Sequence, residues 1–363
     1  MQRPVLALDL GGTQVRAAVI QADGSRVARH ATNTPSAEGP EAVIRACIDT
    51  LQAARADAPG GVDADLAGIG VSSPGPVNPW TGMIVSPPNL GPEFHHIPMA
   101  ARLEAALGLP TYLERDTNVA ALGEQAFGAA RGVDDFLYVT VSTGVGGAIV
   151  SNGHLILGPD GTAGELGHVS IELDGPQCGC GGRGHLEAIS SGVALARDAR
   201  EAVARGTSPF LAARAAASPD GLDALDARAV AEGEAAHDDV CMRLMDHARR
   251  AFAMACAGFV NTFNPDLIVI GGSIAEHQGD RLLDPARAEI KRGSFATPAA
   301  RVRLVAPILG PDVSLAGAQP LVAGRLSDAR WRGGRAPLDT GGPPVRPWRA
   351  GRRTMEAEGP VPR

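Results

Sequence analysis

Val5-Leu6-Ala7-Leu8-Asp9-Leu10-Gly11-Gly12-Thr13 is the stretch on which the reading of the fold turns. A short apolar run that halts at a carboxylate and a glycine pair reads as a strand entering a tight turn. Apolar text resumes at residues 14–20 and stops at Ala22-Asp23-Gly24-Ser25, so a β-hairpin is predicted. Glycine lets backbone N–H groups approach a phosphate, Thr13 adds a hydroxyl, and a carboxylate at a strand end can hold Mg²⁺, chiefly through water. An ordinary glycine turn reads the same way when taken alone.

The pattern returns further along the chain. Phe136–Val141 is a second apolar run, Ser142-Thr143-Gly144-Val145-Gly146-Gly147 its Gly-rich turn, and Ala148–Val150 the returning strand. Two such hairpins, one in each half, suit a clamp that holds one polyphosphate from two sides. Between them come an Ala-rich helix at 41–55, a strand at 66–71 running into the rigid turn Ser72–Asn78, and a loop at 84–92 holding Asn89. A helix at 99–107 stops at Gly108, and a strand at 111–114 meets Arg115-Asp116-Thr117-Asn118, which opens a helix over 119–127. Asp116 has two readings there. It is an N-cap that satisfies free amides, or a base at a cleft floor within reach of a hydroxyl proton. Asn118 can supply part of the cap, which frees Asp116 for the second role.

The second half continues as helices at 189–217, 224–236 and 242–263, then a buried strand at 267–270 closed by Gly271-Gly272-Ser273. That turn is of the kind that approaches nucleotides. A last strand at 302–306 precedes a helix at 315–326, expected to cross back to the first half. From Asp328 the text turns to Arg, Pro and Gly without periodicity, and residues 331–363 read as a disordered tail.

One stretch obeys no packing rule. Between Glu165 and Glu187 lie His168, Cys178, Cys180 and His185, interleaved with Gly179, Gly181, Gly182 and Gly184. Two imidazoles and two thiols make a closed tetrahedral set, which suits structural zinc and leaves no open catalytic position. The alternative is a Gly-rich surface loop with incidental thiols. Glu165 and Glu187 flank the donors and, held rigidly, can accept hydrogen bonds from a polyol. Cys47, Cys241 and Cys256 sit in apolar helical text as small hydrophobes.

Bulk properties narrow the field. With 44% hydrophobic and 20% charged residues in 363, the chain reads as a soluble protein of two domains. A net charge of −7 with no basic block ahead of the tail argues against a nucleic-acid surface. There is no signal-peptide pattern at the start and no apolar run long enough for a membrane, so a cytoplasmic location is expected.

In their order along the chain, these motifs resemble the ROK family of sugar kinases and their relatives, within the actin-like ATPase and hexokinase superfamily, over about residues 1–325. The residues that carry the likeness are Asp9-Leu10-Gly11-Gly12-Thr13, Pro74-Gly75-Pro76, Asp116, Thr143 to Gly147, Glu165-x-x-His168, Cys178-x-Cys180-Gly181-x-x-Gly184, Glu187 and Gly271-Gly272. The resemblance implies an α/β fold of two actin-like (ribonuclease H-like) domains around a central cleft. It places the first at 1–117, with a helix at 313–327 packing back on it, and the second at 118–312, with a zinc-knuckle insertion at 164–187.

It also implies chemistry. ATP with Mg²⁺ would lie in the cleft against Asp9, Gly11, Gly12, Thr13, Thr143, Gly144, Gly146, Gly147, Gly271 and Gly272. A sugar would lie on the floor, with Asp116 as general base, Glu165, His168 and Glu187 in contact, and Gly75 and Asn89 lining the pocket. The implied reaction is ATP-dependent phosphorylation of a hexose hydroxyl, foremost glucose to glucose 6-phosphate; kinases for N-acetylglucosamine, N-acetylmannosamine and fructose are neighbours on the same scaffold. A homo-oligomer, dimer or tetramer, is expected. ROK-type transcriptional regulators carry a helix-turn-helix domain before the first strand, whereas only eight residues precede Asp9 here. A dinucleotide enzyme is excluded, because the first turn lacks the G-x-G-x-x-G spacing. Two positions depart from the family: Arg115 stands where Asn is usual, and His185 where a third zinc Cys is usual.

Overall fold

The structure, a computed structural model, describes residues 3–61, 65–328 and Trp331. Its strands are β1 (Val5–Leu10), β2 (Gln14–Ile20), β3 (Arg26–Asn33), β4 (Ile69–Ser73), β5 (Val77–Asn78), β6 (Met83–Ile84), β7 (Thr111–Arg115), β8 (Phe136–Val141), β9 (Val145–Ser151), β10 (His154–Leu155), β11 (Leu267–Gly271) and β12 (Arg303–Val305). One five-stranded sheet runs β3-β2-β1-β4-β7 and another runs β10-β9-β8-β11-β12, while β5 and β6 pair by themselves. In each large sheet the first three strands in chain order form an antiparallel meander, and the last two add in parallel. One topology is used twice, which makes this an α/β fold of two actin-like halves.

Alternation of side chains explains how β1 seats two layers. Leu6, Leu8 and Leu10 pack with Val43, Ile44, Cys47 and Leu51 of the helix Pro40–Ala56. Val5 and Ala7 point the other way, into a cluster with Leu315, Ala318, Leu321 and Val322 of the helix Val313–Ser327. A strand buried on both faces reads as a continuous apolar run, and that is what Val5–Leu10 is.

The helix Asp116–Phe127 lies between the sheets. Val119 joins the cluster under β1, while Ala120 and Ala121 join Phe136, Tyr138 and Val150 of the second sheet. The helix Val313–Ser327 packs alongside it. Glycine sets how closely they approach: a Cβ on Gly317 would lie 1.9 Å from the Val119 carbonyl oxygen, and one on Gly123 2.9 Å from that of Val313.

Several boundaries differ from the sequence reading. Ser72 and Ser73 extend β4 instead of opening a turn, because they pair with Glu114 and Arg115 of β7. Gly146 and Gly147 belong to β9, pairing with Thr140 and Val139, so the turn is Ser142-Thr143-Gly144. Trp331, placed at the head of the expected disordered tail, is instead 1% exposed and stacked on Trp80 with ring centroids 4.6 Å apart. The rest of that tail, residues 332–363, lies outside the described residues. No helix among the described residues is long and apolar enough to cross a membrane.

The helix contact yields a paired test. Gly317→Ala is expected to destabilise the protein by roughly 1–3 kcal/mol through overpacking. Gly258→Ala, on a helix position where a Cβ meets nothing within 4 Å, is expected to be neutral or stabilising. Denaturant unfolding of the two variants side by side reads the difference.

Candidate active site

The cleft floor is built where β7 passes directly into the helix Asp116–Phe127. Asp116 is the first helical residue, and Arg115 before it is extended at φ −64°, ψ 147°. No side chain caps this helix. The expected cap from Asn118 is absent for a physical reason. Its amide donates to Glu114 Oε1 at 2.9 Å and its carbonyl oxygen lies 3.3 Å from Arg115 Nη2, so it is held inside a buried network. Among the described residues, Asp116 takes its neighbour's amide, Thr117 N–H, at 2.7 Å.

Asp116 is exposed to solvent at the cleft, and the dense protein behind it raises its carboxyl to about 6. Desolvation is the main cause, and the Thr117 amide opposes it. The negative charges of Asp9 and Glu165 add to the rise, and Arg115 counters them. A carboxylate so placed is ionised at neutral pH and still basic enough to take a proton.

Glu165 and His168 stand beside it. Arg115 Nη1 is 2.5 Å from Glu165 Oε1, and its Nη2 donates to the Ala163 carbonyl at 2.6 Å. His168 Nε2 lies 4.0 Å from Glu165 Oε2, while its Nδ1 lies 3.6 Å from Cys178 Sγ. One imidazole therefore looks toward the cleft with one nitrogen and toward the thiols with the other.

The ligand atoms of His168, Cys178, Cys180 and His185 all lie within 4.8 Å of one another. Cys180 Sγ and His185 Nδ1 are 3.3 Å apart. Tetrahedral zinc with bonds of about 2.0 Å to nitrogen and 2.3 Å to sulfur puts such pairs about 3.5 Å apart, so the donor set fits the ion. His185 reaches the group although it replaces the usual Cys. The loop turns on Cys178 N–H to Gly182 O at 2.8 Å and Gly181 N–H to Cys178 O at 3.0 Å. Gly181 and Gly184 have φ of +94° and +64°, and a Cβ on Gly184 would sit 1.6 Å from Glu172 O. Burial pushes the Cys178 thiol up to about 11, so a metal must displace its proton to bind.

Glu187 links this knuckle to the second hairpin. It begins the short helix Glu187–Ser190, and its Oε2 accepts from Val145 N–H at 3.0 Å. A Cβ on Gly144 would meet that oxygen at 2.5 Å, and one on Gly147 would meet Leu166 at 2.7 Å. Gly146 lies equally close to Thr117, beside the floor. Thr143 is exposed at the turn.

On the other wall, Asp9 is the last residue but one of β1 and pairs with Arg16 across the hairpin. Gly11 and Gly12 form the turn, and Thr13 O accepts from Thr34 N–H at 2.9 Å. A Cβ on Gly12 would lie 2.8 Å from Asn89 O, so the loop bearing Asn89 rests on the first turn. Gly75 packs on Arg115, with 3.2 Å from a built Cβ to Cδ. Gly271 ends β11, and Gly272, at φ +94°, leaves no room for a Cβ against Val141 O at 2.5 Å.

Two features escaped the sequence reading. A cavity of about 360 Å³ opens beside Ser142, Thr143, Val193, Arg200, Asp226 and Ser273. It adjoins one of about 230 Å³ that shares Asp226 and Ser273 and reaches His277 and Met245. Arg16 was the other. It holds Asp9 and also donates to the Pro311 carbonyl at 2.9 Å, tying the first hairpin to the returning chain. A strict two-residue register opposite Asp9 was the available signal for it.

Comparison with known proteins places this arrangement in company. The profile of the ROK family matches residues 5–325. A glucokinase of Thermotoga maritima is 33% identical over 322 residues, covering 89% of this chain and 98% of its own. An N-acetylmannosamine kinase of Escherichia fergusonii is 32% identical over 322 residues, covering 88% and 98%. The crystal structure of a ROK family glucokinase from Streptomyces griseus with glucose and AMPPNP superposes with a TM-score of 0.69 at 30% identity, covering 88% of this chain and 99% of that one.

Proposed function

We propose a function from one premise: the chain belongs to the ROK family. It is an ATP-dependent sugar kinase of the glucokinase kind, and it transfers the terminal phosphoryl group of ATP to a hexose hydroxyl, with glucose as the first acceptor. The observation that carries this reading is the placement of Asp116, a cleft-exposed carboxylate at the floor between two glycine hairpins, with its basicity raised to about 6.

Phosphoryl transfer asks a protein for positioning and charge neutralisation more than for covalent chemistry. Asp116 accepts the sugar hydroxyl proton as the oxygen forms its bond to phosphorus and ADP departs. Glu165, His168 and Glu187 line the sugar side, together with Gly75 and Asn89. The turns at Gly11-Gly12-Thr13 and Thr143-Gly144, with Gly146, Gly147 and Gly271-Gly272 behind them, bring backbone to the phosphates. The cavity beside Val193, Asp226 and Ser273 takes the base and ribose. Mg²⁺ would supply charge neutralisation on the phosphates, and Asp9 is the residue that would hold it. His168, Cys178, Cys180 and His185 would hold zinc in a structural role, which would fix the orientation of the His168 imidazole.

A second acceptor, N-acetylmannosamine, is supported by the Escherichia fergusonii relative at nearly the same identity. ADP release measured across glucose, N-acetylmannosamine, N-acetylglucosamine, mannose and fructose separates them. Glucose is expected to give the highest kcat/KM; no turnover with any sugar would overturn the kinase reading.

Three outcomes are expected from the site chemistry. kcat/KM should fall about tenfold per pH unit below about pH 6, as Asp116 takes up its proton. Asp116→Asn should lower kcat by orders of magnitude. It should also raise Tm at pH 8, because a carboxyl whose folded pKa exceeds its unfolded one weakens the fold once pH rises through that interval. Purified protein should carry close to one zinc per chain, and Cys180→Ser should lose it with a lower Tm. Metal-free protein that is equally stable and active would refute the knuckle.

A further inference from the structure

We propose that Arg115 sets sugar selectivity by fixing Glu165, so that this wall of the pocket reads one hydroxyl more strictly than its neighbour. The proposal rests on the sugar-kinase reading and names the residue that tunes it.

Arg115 ends β7 and is 3% exposed, one position before the floor carboxylate. Its guanidinium touches several parts of the sugar wall. Nη1 pairs with Glu165 Oε1 at 2.5 Å, Nη2 donates to Ala163 O at 2.6 Å, and Nη2 lies 3.3 Å from Asn118 Oδ1. Its stem fills the space under Gly75, and Nη2 comes 3.3 Å from a Cβ built on Gly164. A long cation anchored at so many points cannot swing away without leaving a buried charge unpaired, which is costly. The ion pair is therefore a permanent part of the wall.

The consequence falls on Glu165. A carboxylate accepts through two oxygens and can take both hydroxyls of a vicinal diol. Here Oε1 already accepts from Arg115, which fixes the carboxylate's orientation, and Oε2, 4.0 Å from His168 Nε2, is the oxygen left more open to substrate. A carboxylate pinned in this way reads the hydroxyl at Oε2 more strictly than the neighbouring one. Arg115 also leaves Nε–H buried without a hydrogen-bond partner among the described residues.

Selectivity is read from kcat/KM for glucose and for its C2, C3 and C4 epimers mannose, allose and galactose. Wild-type protein is expected to accept at least one epimer within about tenfold of its best sugar. Arg115→Asn releases Glu165 Oε1, and discrimination against that epimer should then sharpen by about tenfold or more, since a site that hydrogen-bonds a hydroxyl rejects analogues lacking it. Arg115→Lys keeps a cation against Glu165 and should keep the wild-type ranking. Arg115→Gln, closer in length, serves if the Asn variant does not fold. A uniform loss on all four sugars, or ratios unchanged within twofold, would reduce Arg115 to a structural ion pair and overturn the proposal. Equilibrium dissociation constants for the same sugars without nucleotide keep the two readings apart. A wild-type protein with no turnover that still binds hexoses, and whose binding ratios respond to Arg115, fails as a kinase but not as a selector.

Discussion

The contact on which the rest depends is that of the helix Asp116–Phe127 with both sheets at once. Val119 faces the first core and Ala120 and Ala121 the second, so neither half can shift without moving the first turn of this helix. Small residues make the arrangement possible, since Gly123 and Gly317 let two helix backbones approach to a distance any side chain would forbid. The C-terminal end is stitched as firmly. Glu124, fully buried, accepts from Ala129 N–H at 2.6 Å, Ile308 N–H at 3.1 Å and Leu309 N–H at 3.0 Å. A buried carboxylate tolerates its desolvation only with such donors. The start of this helix is therefore held by packing, and among the described residues Asp116 has no ion pair of its own.

Charge distribution follows from that placement. Asp9, Asp116 and Glu165 face a common cleft, and two arginines keep them from repelling one another out of it. Arg16 is bound to Asp9 and Arg115 to Glu165, while Asp116 has no ion pair among the described residues. The three carboxylates thereby differ by environment, two charge-paired and one not. Behind them Glu114, wholly buried, takes Arg325 at 2.9 Å, and Arg325 lies 3.8 Å over the ring of Trp331. The last described residue of the chain thus leans on the strand that delivers Arg115 and Asp116.

Much of this could be read from the sequence, for definable reasons. Strand β1 was legible because a strand buried on both faces is apolar throughout, and the helix Met99–Leu107 because Gly108 stops it in the left-handed region at φ +67°. The knuckle was legible because its donors stand close together in the chain. Long-range relations were not. Nothing in Arg115 alone says that it pairs with a residue fifty positions later, nor that Asn118 turns inward to Glu114 instead of capping its helix. Trp331 was read as tail because aperiodic Arg, Pro and Gly surround it; its stacking on Trp80 is a tertiary event with no local signature. Gly146 and Gly147 looked like turn residues, yet they are strand residues thinned to let Thr117 and Leu166 come close.

The central claim is that the dense protein behind the cleft floor keeps the Asp116 carboxyl basic. Carbon-13 NMR of protein labelled at aspartate Cγ, titrated with and without Asp116→Asn to assign the signal, measures it directly. The account predicts one aspartate resonance with a midpoint near 6 that vanishes in the variant. A midpoint near 4 for Asp116, the ordinary aspartate value, would contradict it.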